Sequence, residues 1–227
     1  MAGKLSKETR ALAASDPAIA GLVDRLGELS LATRRRGRPK DDPFGALVRT
    51  VVAQQVSAKA APRIHERLLA LFDGRSPTPA ELLAAGSDRL RGAGLSGRKV
   101  EYVQGLAAAI EDGELDLDEV AKLPDEEVRE RIMALRGFGP WSADMFLIFS
   151  LERPDVLPVG DFGIRRAVQL LHGLDEPPDP DELTRLAEPW RPRRSLACVY
   201  LWESLHNTLL VSGGDPSRPL GARRATG

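Results

Sequence analysis

Apolar residues recur every three or four positions along most of the chain, which is the period of an α-helix that buries one face. Strict alternation of apolar and polar residues, the sign of a half-buried strand, is weak throughout. Even the valine-rich stretch 48–56 follows helical rather than alternating spacing. The pattern therefore predicts an all-α protein.

Local signals indicate where many of these helices begin. Asp16 and Asp42 each precede a proline, so each combines an N-cap with a residue suited to the first helical turn. An apolar stripe is expected to run from Ile19 to Leu29, and a basic linker is expected over residues 33–42. Further helices are predicted to start near Thr78, Ser96, Pro124, Pro140, Asp161, Asp179 and Arg193, and another to carry Ile64, Leu68, Leu71 and Phe72.

Composition narrows the class of protein without fixing it. The 227 residues carry a formal net charge of −1, so any contact with nucleic acid must come from a local patch. The chain has one cysteine, Cys198, which excludes a disulfide framework, a four-cysteine iron–sulfur cluster and a cysteine-rich zinc site. The N-terminal residues lack a signal-peptide apolar region, and we expect a cytoplasmic protein.

A glycine-rich turn between two predicted helices is the first motif with chemical meaning. Residues 135–143 read Leu-Arg-Gly-Phe-Gly-Pro-Trp-Ser-Ala. Gly137 and Gly139 can adopt positive φ, and without Cβ atoms they let a phosphate approach backbone N–H groups. Gly-x-Gly alone favours an ordinary helix–helix turn with a glycine C-cap, whereas the complete string favours the anion site.

A lone carboxylate is the second such motif. Asp161 follows Gly139 by 22 residues and precedes Phe-Gly-Ile-Arg-Arg, where it is a good N-cap. Cleavage of an N-glycosidic bond passes through an oxocarbenium-like sugar. A carboxylate near the sugar can stabilise that cation and orient or deprotonate the attacking water. The structural and the catalytic role are compatible.

These motifs, together with Val51-Val-Ala-Gln-Gln-Val-Ser57, resemble the helix-hairpin-helix base-excision DNA glycosylase superfamily, and within it the 3-methyladenine DNA glycosylase II family. The segment Arg194–Trp202 is similar to that family's C-terminal helix, and the resemblance runs from Phe44 to Trp202. It implies one domain over residues 1–227 in a compact form without the extra N-terminal β domain. Two helical lobes with an intervening cleft are expected, one over 44–153 and one over 1–43 plus 154–227.

The resemblance also assigns roles to individual residues. It makes Asp161 the catalytic residue and places Trp141, Met145 and Trp202 around a flipped base. Backbone carbonyls of Met133, Leu135 and Phe138 match those that hold a structural monovalent cation. DNA contacts are expected from Gln54, Gln55, Gly137, Phe138, Gly139 and Ser142.

Either Gln54 or Gln55 could fill the gap that a flipped base leaves in the stack, although a plain polar helix end explains them equally well. For the basic linker residues 34–40 and for Ser96–Lys99, phosphate contacts and ordinary solvent-exposed roles both stay open.

The resulting hypothesis is a monofunctional glycosylase that excises alkylated purines, of the 3-methyladenine and 7-methylguanine type, from damaged double-stranded DNA. Bifunctional relatives carry a nucleophilic lysine where this chain has Trp141. No cofactor is expected to be required. We expect a monomer that is associated with the nucleoid because it binds DNA. The alternatives are a non-catalytic binder of distorted DNA and a glycosylase for a mismatched or oxidised base.

Overall fold

The computed structural model describes residues 5–35, 42–57, 59–207 and 209. Across these residues the secondary structure consists of thirteen α-helices and one short 3-10 helix, with no strand. The all-α prediction is therefore confirmed. No helix in this described part of the chain is long and apolar enough to cross a bilayer.

The helices group into two compact units. The terminal unit comprises the described residues of Met1–Gly37 and Arg153–Gly227, and the middle unit those of Arg38–Glu152. The terminal unit contains α1 (Lys7–Ser15), α2 (Pro17–Leu26), α3 (Leu31–Arg35), α11 (Phe162–His172), α12 (Pro180–Leu186), the 3-10 helix Glu188–Trp190 and α13 (Arg194–His206). The middle unit contains α4 (Pro43–Ala53), α5 (Ala60–Ala70), α6 (Pro79–Gly92), α7 (Gly97–Glu111), α8 (Leu117–Val120), α9 (Asp125–Met133) and α10 (Pro140–Phe149).

In the middle unit, α4 and α10 carry most of the core next to the hairpin. α4 packs against α5, α7 and α10, and α10 also packs against α9. The sequence of α10 is apolar almost all the way round, as expected of a helix enclosed by others. Its residues Ala143, Phe146, Leu147 and Ile148 are at most 1% exposed. This burial fixes the position of the helix that follows the glycine-rich turn.

In the terminal unit, α13 is the central helix. It packs against α2, α3 and α11, and residues 197–201 have no exposed surface. The Tyr200 hydroxyl donates to the carbonyl of Gly27 over 2.8 Å and accepts from the N–H of Leu29 over 3.1 Å. These bonds attach the chain after α2 to the buried helix.

All nine predicted helix starts are confirmed, from α2 after Asp16 to α13 after Arg193. The expected stripe to Leu29 is wrong, because α2 ends at Leu26 and Gly27 takes φ +70°. The basic linker is wrong for residues 33–35, which belong to α3, and residues 36–41 lie outside the described residues. The short helices α1 and α8 were not predicted.

A partly buried ion pair joins the two helices on either side of the glycine-rich turn. Nε of Arg129 on α9 donates to Oδ1 of Asp144 on α10 over 2.9 Å, and Asp144 is 6% exposed. Arg129 also donates to Glu126, whose side chain is 81% exposed. Burial raises the pKa of Asp144 above its ordinary value, although the hydrogen bond and charge of Arg129 act in the opposite direction.

We expect Arg129→Ala to destabilise the protein by about 3 kcal/mol near pH 8, because it leaves Asp144 buried without its cation. A carboxyl group with a raised folded-state pKa binds its proton more readily in the folded than in the unfolded state. Stability therefore falls as the pH rises, and the loss should be smaller near pH 5. Urea unfolding at both pH values measures this. Glu126→Ala removes only the exposed partner and serves as the control; an Arg129→Ala loss independent of pH would contradict the prediction.

Candidate functional site

The turn between α9 and α10, residues 134–139, forms the hairpin that the sequence predicts. α9 ends at Met133, and α10 begins at Pro140 with Gly139 as its N-cap. No side chain caps this N-terminus. Pro140 has no N–H, and the N–H groups of Ser142 and Ala143 donate to the Gly139 carbonyl over 2.9 and 3.1 Å. The positive pole of α10 nevertheless favours an anion such as a DNA phosphate at this end.

The two glycines of the hairpin have different conformations. Gly137 has φ +90°, and a Cβ atom added there would lie 2.2 Å from Cγ of Tyr102 on α7. Gly139 is extended, with φ −109° and ψ −175°, and a Cβ atom there would meet nothing within 4 Å. The expected positive φ is confirmed at Gly137 and wrong at Gly139, because an N-cap residue has extended backbone.

The turn after α4, Gln54–Ser57, lies against the hairpin, and we call it the plug loop. Nε2 of Gln54 donates to the carbonyl of Gly137 over 2.8 Å and lies 3.4 Å from Oγ of Ser142. Gln55 is exposed and has φ +52°. Of the two glutamines left open by the sequence, Gln54 contacts the hairpin and Gln55 is presented to solvent.

Asp161 is the N-cap of α11, and two donors hold its Oδ1 atom. The N–H of Ile164 donates over 2.8 Å, and Nε1 of Trp202 donates over 3.0 Å. The residue is half-buried at the positive end of α11. A carboxylate held in this way keeps a fixed orientation, which electrostatic stabilisation of a transition state requires.

Sequence reasoning missed two neighbours of Asp161. At Gly163, a Cβ atom would lie 3.0 Å from Oδ1 of Asp161 and 3.3 Å from Cδ1 of Trp202, so glycine leaves room for their hydrogen bond. Phe162, directly after Asp161, is 72% exposed. A large apolar residue at the first position of a capped helix is the signal that could have identified Phe162.

The residues expected around a base lie on two helices. Trp202 on α13 is 9% exposed, and its indole N–H is directed at Asp161. Trp141 and Met145 are four residues apart on α10, so they share one helix face. Within the terminal unit, Trp202 is therefore hydrogen-bonded to Asp161. Within the middle unit, Trp141 and Met145 lie on α10, the helix that follows the hairpin.

Two residues expected to contact DNA have buried side chains. Phe138 is 5% exposed and Ser142 is 2% exposed. The Ser142 hydroxyl is near the amide of Gln54 rather than at the surface. Their predicted DNA contacts are therefore restricted to main-chain atoms.

The carbonyls expected to hold a cation come from the end of α9 and the hairpin. The Leu135 carbonyl accepts from the N–H of Phe138 over 3.1 Å, and a carbonyl oxygen has a second lone pair for another partner. Together with Met133 and Phe138, it supplies hard oxygen donors near the negative pole of α9. Oxygen donors of this kind are the ligands that a hard monovalent cation takes, and the cation site itself stays a prediction. In the described residues, no group of three or more His, Cys, Asp or Glu could hold a metal ion.

Lys99 does not behave as an ordinary surface lysine. Its Nζ atom donates to the carbonyl of Val52 in the last turn of α4 over 2.8 Å, and burial lowers its pKa. Ser96 is the N-cap of α7, so the plain helix start is confirmed there. Of the basic linker, Arg36, Arg38 and Lys40 lie outside the described residues, while Arg34 and Arg35 fall in α3.

The chain is similar in sequence to known DNA repair proteins. A family model described as HhH-GPD superfamily base excision DNA repair protein matches residues 48–192. DNA-3-methyladenine glycosylase 1 of Schizosaccharomyces pombe is 35% identical over 186 residues, which cover 81% of this chain and 80% of that protein. The matched family range contains the plug loop, the hairpin and Asp161.

Solved structures agree with the sequence relatives. The S. pombe 3-methyladenine DNA glycosylase in complex with abasic DNA superposes with a TM-score of 0.81 at 32% identity, covering 88% of this chain and 97% of that one. The DNA-3-methyladenine glycosidase of Bacillus halodurans superposes with a TM-score of 0.73 at 34% identity, covering 92% and 94%. The similarity extends over nearly the whole length of both structures.

The hairpin geometry predicts different effects at its two glycines. Gly137→Ala should destabilise the protein by roughly 2 kcal/mol or more, because alanine resists positive φ and its methyl group meets the Tyr102 ring. Gly139→Ala, at an extended and open position, should change stability little. Urea unfolding compares the two variants, and a smaller Gly137→Ala loss in a Tyr102→Ala background would identify the ring contact. Equal losses at both glycines would contradict this account.

Proposed function

The chain belongs to the HhH-GPD superfamily of base excision DNA repair proteins, and from this premise we propose that it hydrolyses the N-glycosidic bond of alkylated purines in duplex DNA. The observation that carries the proposal is the Asp161 carboxylate, which Ile164 and Trp202 orient at the start of α11. The proposed substrates are purines of the 3-methyladenine and 7-methylguanine type, of which the names of the relatives contain 3-methyladenine.

The chemistry follows from the charge of an alkylated base. Alkylation leaves the purine positively charged, so the bond from C1′ to the purine nitrogen breaks with both electrons passing to the base. The base leaves neutral, and positive charge develops on the sugar. Asp161 stabilises that charge and orients the water whose oxygen adds to C1′. The proton of that water passes to Asp161 or to solvent, and the products are the free base and an abasic site.

Aromatic side chains supply recognition of the cationic base. A positively charged ring is attracted to the negative face of an aromatic group. Phe162, exposed beside Asp161, can offer such a face. In the middle unit, Trp141 and Met145 share one face of α10, and their expected contact with the base stays a prediction. Because alkylation already activates the leaving group, one carboxylate without a general-acid partner is sufficient.

DNA binding is proposed to use the hairpin and the plug loop. The positive pole of α10 at the hairpin would receive a phosphate, and Gln55 would fill the gap left by the flipped nucleotide. Gln55 is favoured over Gln54 because it is exposed whereas Gln54 bonds to the hairpin. The monomeric state and the cytoplasmic location stay predictions.

A monovalent cation is proposed at the carbonyls of Met133, Leu135 and Phe138. It would neutralise the negative end of α9 next to the phosphate site and hold the turn in shape. Replacing potassium by choline, with the thermal midpoint and DNA affinity as readouts, tests this site; no change in either would exclude it.

The proposed function is tested with methylated duplex DNA and chromatography of the released bases. Wild-type protein should release 3-methyladenine or 7-methylguanine. Asp161→Asn should lower the release rate by at least about 100-fold while DNA affinity stays within a few-fold, because the carboxylate acts on the transition state. Asp179→Asn, which alters the aspartate N-cap of α12, is the matched control and should retain activity. Binding without base release by the wild type would favour a non-catalytic DNA binder, and near-normal release by Asp161→Asn would remove this residue from the mechanism.

The reaction should stop at an intact abasic site. A lyase needs an amine that attacks the sugar, but Trp141 occupies the position of the lysine in bifunctional relatives. Lys122 is tied to Glu119, whose hydrogen bond raises the pKa of that lysine. Borohydride added during turnover should therefore trap no protein–DNA adduct, with a bifunctional glycosylase as the positive control. Lys99 has a lowered pKa, so an adduct that disappears in Lys99→Arg would refute the monofunctional reaction.

A further inference from the structure

We propose that Gln54 is a positioning residue that couples the hairpin to the plug loop, so that a phosphate held by the hairpin also fixes Gln55 for insertion into DNA. The inference rests on the proposed function, because insertion matters only if the protein extrudes a base. Gln54 would determine where Gln55 lies in the middle unit and would take no part in the reaction at the sugar.

The first support is the contact between loop and hairpin. Gln54 and Gly137 are 83 residues apart in sequence, yet the Gln54 amide donates to the Gly137 carbonyl over 2.8 Å. The weaker 3.4 Å contact with Ser142 Oγ adds a second approach to the same segment. Gly137 is the residue whose positive φ turns the chain toward the anion-binding end of α10. The phosphate site and the plug loop are therefore neighbours joined by one side chain.

The second support is a contact at the end of α4, directly before the loop begins. The Lys99 ammonium group donates to the carbonyl of Val52 over 2.8 Å, one residue before α4 ends at Ala53. A cation at the C-terminal end of a helix is stabilised by the helix dipole. The loop thus leaves α4 from a fixed point and is fixed again at Gln54.

The third support is the backbone of Gln55. This residue has φ +52° and is exposed, although residues other than glycine rarely adopt positive φ. Such a conformation persists where neighbouring contacts enforce it. With Lys99 and Gln54 holding the chain before it, Gln55 is directed outward before DNA arrives. The two adjacent glutamines thereby have different roles: Gln54 binds the hairpin, and Gln55 would contact the DNA.

The proposal makes a specific kinetic prediction for Gln54→Met, which keeps the length of the side chain and removes its donor. Single-turnover excision from a methylated duplex should slow by about 10-fold, because a misplaced plug no longer supports extrusion of a paired base. Excision of the same lesion opposite an abasic site should slow by less than about two-fold, because an unpaired base is extruded at lower cost. Affinity for undamaged duplex should stay within about two-fold.

A double-mutant cycle with Gln55→Ala tests whether Gln54 acts through the plug. If it does, Gln54→Met should cause no further loss when Gln55 is already alanine. Gln104→Met, which removes the hydrogen bond from Ser87 on the surface of the same unit, is the matched control and should leave all rates unchanged. Lys99→Met releases the other attachment and should give the same pattern, which keeps the proposal testable if Gln54→Met does not fold.

The outcomes distinguish a failure of the Gln54 coupling from a failure of the proposed glycosylase function. Equal losses on paired and unpaired lesions, or losses that add to those of Gln55→Ala, would make Gln54 an ordinary structural residue and overturn the coupling while leaving the glycosylase function intact. A wild-type protein that releases no base would overturn the proposed function and the coupling with it.

Discussion

The conformation of Gly137 is the constraint on which the middle unit's candidate site depends. Its positive φ turns the chain between α9 and α10, and the Tyr102 ring occupies the space that any Cβ would need. This turn brings the positive pole of α10 to the hairpin and directs the Gly137 carbonyl at Gln54. A larger residue here would disturb the proposed phosphate site and the plug loop together.

The packing of the terminal unit holds one carboxylate, that of Asp161, in a fixed orientation. α13 has a fully buried middle section, so Trp202 near its end is held firmly. The indole of Trp202 and the backbone of Ile164 then hold one oxygen of Asp161. The absence of a side chain at Gly163 leaves space for this arrangement. Rigid packing thereby fixes the orientation of the carboxylate, which the proposed role of Asp161 in glycosidic cleavage requires.

Much of the fold could be predicted because helix starts are encoded locally. At α2, α4 and α12, an aspartate N-cap is followed by a proline in the first turn. These residues cap the helix through the backbone of the next three or four residues, so they can be recognised from sequence alone. Every predicted helix start is observed. The helices that were missed, α1, α3 and α8, have four to nine residues. Helices this short have little intrinsic stability and depend on packing against the rest of the protein. Their existence is therefore a property of the assembled core.

The sequence by itself determined the hairpin, the carboxylate at the start of α11 and the family to which the chain belongs, because each is written in a contiguous string. Only the tertiary structure decided which glutamine contacts the hairpin, why Gly137 must be glycine and what orients Asp161. Those answers depend on partners 83, 35 and 41 residues away, namely Gly137 for Gln54, Tyr102 for Gly137 and Trp202 for Asp161. Contacts between distant segments follow from how helices pack, and no local propensity or spacing specifies them.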